Sequence, residues 1–372
     1  MAVSVRLLPM RAATSTAPDA IAVPAVSADT AVVAVSADTA VVASDSDTAV
    51  VAGESITGTR PALPVRVAFY NVENLFDTRH DSLKQDYEYL PAGIRHWTPH
   101  RYWHKLDCVA RTIASLGGER WPALVGLCEV ENDSVMCDLT RRSPLRAAGY
   151  QYLVTDGSDP RGIDVALLWD PYLFRLIDSE QLTVPVRDLR SDAHARPVLH
   201  VSGLLANGDT LDVFVAHFPS RRGGARASDP LRKRAAQVAL AAIDSLQTVR
   251  GQLRLLMMGD LNEDASGAAV RSLSPTLSPL FPAPARHRTS SGSYRYRGRW
   301  EQIDQMLVSP SLLDDDGSFV VTGTPSVYQD DDLVEREPVY GGVRPLRTFN
   351  GRRYQGGASD HLPVYADFLV RF

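Results

Sequence analysis

Leu253-Arg254-Leu255-Leu256-Met257-Met258-Gly259-Asp260-Leu261-Asn262 is the stretch on which the reading of this chain turns. The run Leu253–Met258 is mostly apolar and reads as a strand, with Leu255–Met258 buried. Glycine ends the run, and Asp260 and Asn262, at i and i+2, then fall on the same side. A rigid strand is thus expected to deliver a carboxylate and an amide together. The plainer alternative is an Asx-turn that merely closes the strand.

The same arrangement recurs on either side of it. Val65–Tyr70 alternates as a first strand, and Ala123–Glu129 is an apolar strand ending in a carboxylate. Asp164–Trp169 and Thr210–His217 are further strands, the second ending in His217; Gln302–Val308 and Leu362–Phe368 complete the set. Helical spacing appears over Arg101–Leu116 (Leu106, Val109, Ala110, Ile113) and over Pro230–Val249 (Ala235, Val238, Ala239, Ala242, Ile243). Strands with interspersed helices, and polar residues where strands stop, describe a layered scaffold whose site lies at one edge.

The residues at or near strand ends are Asn71, Glu129, Asp164, His217, Asp260 with Asn262, Asp304, and Asp360 with His361. No serine or cysteine nucleophile stands beside a base. Carboxylates and amides suit Mg²⁺ or Mn²⁺, and nearby imidazoles can donate protons to a phosphate oxygen. The set points to metal-assisted hydrolysis.

Composition bounds the rest. The chain has 372 residues, 44% hydrophobic and 22% charged, enough for a full-sized core. A net charge of −5 argues against coating nucleic acid through bulk positive charge. It leaves room for a site that reads one phosphate through a bound cation. Residues 1–60 carry three basic and six acidic groups, so the remainder is nearly balanced. Within them a nine-residue unit runs three times, as Val26–Ala34, Val35–Ala43 and Ser44–Ala52. That is too little chain for a solenoid; it reads as a low-complexity, disordered tail, with a short Val-Val hairpin as the rival. Cys108, Cys128 and Cys137 fit neither a disulfide framework nor a zinc site, although one disulfide stays open. No run approaches a membrane span, and Met1–Pro18 lacks an unbroken apolar signal core, so cytoplasmic and exported locations both stay open.

Five ordered motifs now carry a resemblance: Tyr70-Asn71-Val72-Glu73-Asn74-Leu75, Cys128-Glu129-Val130-Glu131, Ala216-His217-Phe218, Gly259-Asp260-Leu261-Asn262 and Ser359-Asp360-His361-Leu362-Pro363, with Gln302-Ile303-Asp304 as a sixth. Together they resemble the endonuclease/exonuclease/phosphatase superfamily, the deoxyribonuclease I-like metal-dependent phosphoesterases, over nearly all of Val65–Phe372. The resemblance implies a four-layer α-β-β-α sandwich of two mixed β-sheets flanked by helices. It implies a metal shell of Glu129 and Asp360 with help from Asn71. It implies that Asp260 orients or deprotonates the attacking water, that Asn262 binds the scissile phosphate, and that His361, backed by Asp304, contacts phosphate or moves a proton. His217 would be the second histidine, with Asp164 as its orienting carboxylate. Whether Asp260 or a histidine is the general base stays open.

Arg161 and the pair Arg221-Arg222, the latter flanked by Gly223-Gly224, are candidates for gripping phosphate, with a solvated loop as the alternative. Leu313–Ala358 is long for a connection, with an acidic half and a basic half, and either shapes substrate access or decorates the surface. Three functions compete: a nuclease, a phosphatase or phosphodiesterase for a small molecule or lipid headgroup, and a binding module without chemistry. The partner is then nucleic acid or a phosphorylated small molecule as substrate, with a monomer and no stable protein partner expected.

Overall fold

The structure is a computed structural model that describes residues 61–221, 223–283 and 292–372. The repeat segment, and the expectation attached to it, lies outside the described residues, as does Arg222. In chain order the first elements are β1 (Ala62–Leu75), α1 (Pro99–Leu116), β2 (Leu124–Val130), α2 (Asp133–Cys137), β3 (Gln151–Val154), β4 (Asp164–Trp169), β5 (Phe174–Leu182), β6 (Val198–Leu205), β7 (Thr210–His217) and α3 (Ala225–Arg250). There follow β8 (Leu255–Asp260), α4 (Ala268–Leu273), β9 (Ser278–Pro279), β10 (Tyr294–Tyr296), β11 (Arg299–Glu301), β12 (Asp304–Val308), β13 (Phe319–Val327), β14 (Val334–Arg336), β15 (Val343–Pro345), β16 (Phe349–Asn350), β17 (Arg353–Tyr354) and β18 (Val364–Arg371).

Two mixed sheets face each other. One has the order β13-β18-β1-β2-β4-β3, the other β5-β6-β7-β8-β12-β9. Each contains one parallel pair, β1 with β2 and β7 with β8, and in each the two strands are joined by a long helix, α1 or α3. Parallel neighbours need such a crossover because a tight turn can only reverse direction. The fold is a four-layer α/β sandwich.

Side-chain alternation builds the layers. Along β1, Val65, Val67 and Phe69 enter the core between the sheets, while Ala68, Tyr70 and Val72 enter the core under α1. On the far side, Phe214 and Ala216 of β7 pack with Ala235, Ala239 and Ile243 of α3. Truncating a buried aromatic such as Phe69 to alanine should cost about 3–5 kcal/mol. The sheets come so close that a Cβ on Gly126 would lie 2.8 Å from Sδ of Met258 and 3.0 Å from the Phe69 ring.

Helix α1 starts where Thr98 caps it, accepting from the Arg101 N–H, with proline at its first position. Helix α3 begins at Ala225, a turn earlier than the Pro230 expected from spacing. The segment read as one long connection, Leu313–Ala358, is instead built of edge strand β13 and the hairpins β14–β15 and β16–β17. Its acidic and basic halves meet in register: Glu335 lies opposite Arg344, whose Nε donates to it at 2.8 Å. All three cysteines are free thiols, which closes the option of one disulfide. Among the described residues no helix is long and apolar enough to cross a membrane.

Candidate active site

The site is the continuation of the core between the sheets, at the point where apolar residues give way to polar ones. On β7, Leu211, Val213 and Val215 point inward, so His217 does too; on β8, Leu256 and Met258 point inward, so Asp260 does too. On β12, Met306 and Val308 put Asp304 on that face, and on β1 Val67 and Phe69 do the same for Asn71. Register then sets three of these side by side: His217 pairs with Asp260 across the parallel ladder, and Asp260 with Asp304 across the antiparallel one. Asn71, His217, Asp260, Asp304 and His361 are all buried.

His361 and Asp304 form the strongest pair, with Nδ1 of the histidine 2.7 Å from Oδ2 of the aspartate. Burial pulls the imidazole down. The Asp304 charge and hydrogen bond, with Asp260 and Asp360 nearby, outweigh it and lift His361 to about 10. His361 is therefore a charged donor at neutral pH. Asp260 goes the other way from an ordinary carboxylate. Burial and the Asp304 charge push it up to about 7, against His361 and hydrogen bonds from the Asn262 N–H and the Asn71 amide. Those bonds are 2.9 Å from Asn262 N to Oδ1 and 3.0 Å from Asn71 Nδ2 to Oδ2. Asn262 has φ +53°, the left-handed turn that lets its N–H reach back, and its own Nδ2 donates to the Phe218 carbonyl at 3.0 Å. That bond ties the ends of β7 and β8 together.

On the facing sheet, Glu129 owes its position to a bulge. Leu127 and Val130 lie under α1 while Cys128 lies between the sheets, so the alternation slips by one at Glu129, which has φ +64°. Its Oε2 accepts the Asn74 N–H at 2.9 Å, and its Oε1 lies 3.9 Å from Nε2 of His217. Asp360 is bound at 2.6 Å by Nη2 of Arg347, which also reaches Glu73 Oε1 at 3.1 Å. Glu73 accepts the Thr348 N–H as well, at 2.8 Å. Burial and the Asp360 charge raise Glu73 to about 7, against Lys105 and Arg347. Lys105, fully buried on α1, donates to the carbonyls of Glu73 and Ala358 and to Oγ1 of Thr348. Arg347 and Lys105 belong to no motif, and Glu73, although it stands in the first motif two residues after Asn71, was given no role there.

One expectation changes. Asp164 does not stand behind His217. Its parity on β4 is that of Ala166 and Leu168, which face the α1 layer, and its Oδ1 accepts from Thr155 Oγ1 at 2.6 Å and the Gly157 N–H at 2.9 Å. The group on His217 is instead buried Arg196, whose Nη2 lies 2.8 Å from Nε2 and 3.0 Å from Nδ1 of the ring. Burial and that guanidinium hold His217 well below its ordinary value, so it is a neutral imidazole. Arg161 lies beside this pair, its Nη2 3.4 Å from Asp159, which also lies 3.7 Å from Arg196. Arg221 is ion-paired with Glu301 at the end of β11. Arg196 carried no signal in the sequence, since Ala195-Arg196-Pro197 belongs to no motif and its burial is a tertiary fact.

The oxygen donors fit a hard divalent cation. Oδ1 of Asp304 is buried and finds no hydrogen-bond partner among the described residues. Donor atoms of Asp260, Asp304 and His361 also lie within 4.8 Å of one another. The sequence model of the endonuclease/exonuclease/phosphatase family matches residues 66–369. The chain belongs to that family. Among solved structures it is similar to a family protein from Bacteroides thetaiotaomicron (TM-score 0.54, 15% identity, 84% of this chain and 98% of that one). It is also similar to the mannosyl-6-phosphatase of the same species (0.52, 18%, 82% and 99%) and to TDP2 from C. elegans (0.52, 13%, 82% and 75%). At these identities the likeness is one of fold. No curated protein sequence matches the chain.

Proposed function

We propose that this chain is a metal-dependent hydrolase of phosphate esters, and that its substrate is a phosphodiester of nucleic acid. The observation that carries the reading is the convergence of buried His217, Asp260, Asp304 and His361 at one edge of the facing sheets, with His361 hydrogen-bonded to Asp304. A carboxylate that titrates near pH 7 is suited to take a proton from water. His361, kept protonated by Asp304, is suited to donate to a phosphoryl oxygen as charge builds there. His217, neutral and wedged between Arg196 and Asp260, offers an acceptor and a fixed orientation, while Asn71 and Asn262 hold Asp260 still. Glu129 and Asp360, with Asn71, would hold the Mg²⁺ or Mn²⁺. A bound cation would neutralise a non-bridging oxygen and the leaving oxygen. Arg161 and Arg221 are the candidates for contacts to flanking phosphate. The second reading, a phosphorylated sugar, is favoured by the shared fold with the mannosyl-6-phosphatase.

Hydrolysis of plasmid DNA, single-stranded RNA and a panel of phosphomonoesters, each with Mg²⁺, Mn²⁺ or EDTA, tests this. Cleavage should vanish in EDTA, and Asp260→Ala should lower kcat roughly a thousand-fold while the circular dichroism spectrum is unchanged. A soluble Asp260→Ala protein with full activity would refute the assignment. Cleavage of sugar phosphates alone would move the substrate to the second reading.

A further inference from the structure

The hairpin β10–β11 reads Tyr294-Arg295-Tyr296-Arg297-Gly298-Arg299-Trp300-Glu301, alternating aromatic and basic residues. Its register pairs Tyr294 with Glu301 and Tyr296 with Arg299, so these four share one face, and Arg295 and Trp300 share the other. The second face is braced. Arg295 donates to the carbonyls of Gly341 and Val343 on the β14–β15 hairpin, and a Cβ on Gly298 would lie 2.5 Å from Cβ of Tyr340. The first face looks at the active site. The Tyr294 ring lies over His361 with centroids 4.8 Å apart, Tyr294 bridges His361 through the backbone, and Glu301 pairs with Arg221.

Tyr296 is the next ring on that face. It is half exposed, and Arg297 stands over it with the guanidinium carbon 5.2 Å from the ring centroid. Arg299 beside it is exposed as well. A rigid, exposed aromatic ring flanked by arginines, in line with a phosphate-cleaving centre, offers stacking for a base and charge for the backbone that carries it. A bare phosphomonoester would leave this face unused.

We propose that the Tyr294–Tyr296–Arg299 face of β10–β11 is a binding platform for a nucleobase next to the scissile phosphate, and that it selects single-stranded polynucleotide. The inference rests on the phosphodiesterase reading above and names its substrate class. Tyr296 stacks on the base, Arg299 meets the adjoining phosphate, and Tyr294 orients His361 beneath.

Fluorescence anisotropy with labelled oligonucleotides tests it, in the Asp260→Ala background with Mg²⁺ present so that the probe survives. A thymidine decamer should bind roughly ten-fold tighter than an abasic decamer of equal length. Tyr296→Ala should erase that preference and leave abasic binding unchanged. Arg299→Gln should weaken both probes alike and flatten their salt dependence. Tyr172→Ala, a more exposed tyrosine in the β4–β5 turn, is the control and should change nothing. Equal binding of both decamers to the unaltered hairpin, or an intact preference in Tyr296→Ala, overturns the proposal. So does competition by mannose 6-phosphate as strong as by the decamer. Hydrolysis of the p-nitrophenyl ester of thymidine 5′-monophosphate by the wild-type chain is measured in parallel. Its absence alongside a clear base preference refutes catalysis and leaves the platform standing; its presence without the preference refutes the platform alone.

Discussion

The two parallel strand pairs are alike in topology and opposite in how they treat charge. At the end of β1 and β2, the carboxylates of Glu73 and Asp360 are bridged by Arg347, and Lys105 fills the space behind with three donated hydrogen bonds. At the end of β7 and β8, Asp260 and Asp304 have His361 between them as their cation, Oδ1 of Asp304 goes unpartnered, and Asp260 rises to about 7. The first end is closed by Arg347 and Lys105, cations that the chain itself supplies and that hold its carboxylates in place. The second is more open: two buried carboxylates share one imidazolium, while Arg196 lies on His217, and in that condition a carboxylate becomes a base and a phosphate hydrogen bond becomes favourable. Similar backbone thus yields carboxylates held by ammonium and guanidinium groups at one end and by an imidazolium at the other, and the difference lies in which side chains neighbouring loops bring in.

Breaking the closed end should be felt as stability. Lys105→Met removes a fully buried ammonium whose partners then have no donor, and unfolding by urea should show a loss of about 3–5 kcal/mol. A loss within error would mean that this end is not held by its charges. Breaking the open end should be felt as chemistry instead. Asp304→Asn should cost about a hundred-fold in kcat and let His361 fall from about 10 toward its ordinary 6.5, read by NMR titration of the ring. The sign for stability follows from the same shift. With the folded value above the ordinary one, the pair's contribution is complete below pH 6.5 and is lost as pH rises through 10. The variant should lack that decline, and an unchanged slope would place the His361 proton elsewhere.

Glu131 supplies the smallest and most discriminating comparison. It is a third carboxylate near the β1–β2 end, and among the described residues it has no ion-pair partner; burial lifts it from 4.5 to about 8. Its contribution is therefore complete below pH 4.5 and lost as pH rises through 8. Glu131→Gln should raise Tm by a few degrees above pH 8 and leave it unchanged in acid. A lowered Tm at alkaline pH would mean that the charge is compensated, and that this end is closed more widely than Arg347 and Lys105 alone achieve.

Much of this was legible in the chain. Asp164–Trp169 and Thr210–His217 form strands over the spans expected from their patterning, and of the polar residues at strand ends Asn71, Glu129, His217, Asp260, Asp304 and His361 meet while Asp164 does not. Edge strand β5, Phe174–Leu182, was not legible, because its exposed face carries no hydrophobic alternation. Asp164 could have been placed correctly by counting parity from Ala166 and Leu168. Glu129 could not, since a bulge leaves no mark in composition.

What the sequence determined by itself was the identity and order of the strand-end groups, since alternation commits each side chain to one face of its strand. That is a local, covalent fact, and it holds wherever the strand is put. The tertiary structure alone decided which groups those ends would meet: Arg196 on His217, Arg347 between Glu73 and Asp360, the Tyr294 ring over His361. These partners arrive from loops and a hairpin that no strand pattern ties to the site. Charges act through space between these buried groups, so the chemistry of Asp260 depends on neighbours distant in the chain.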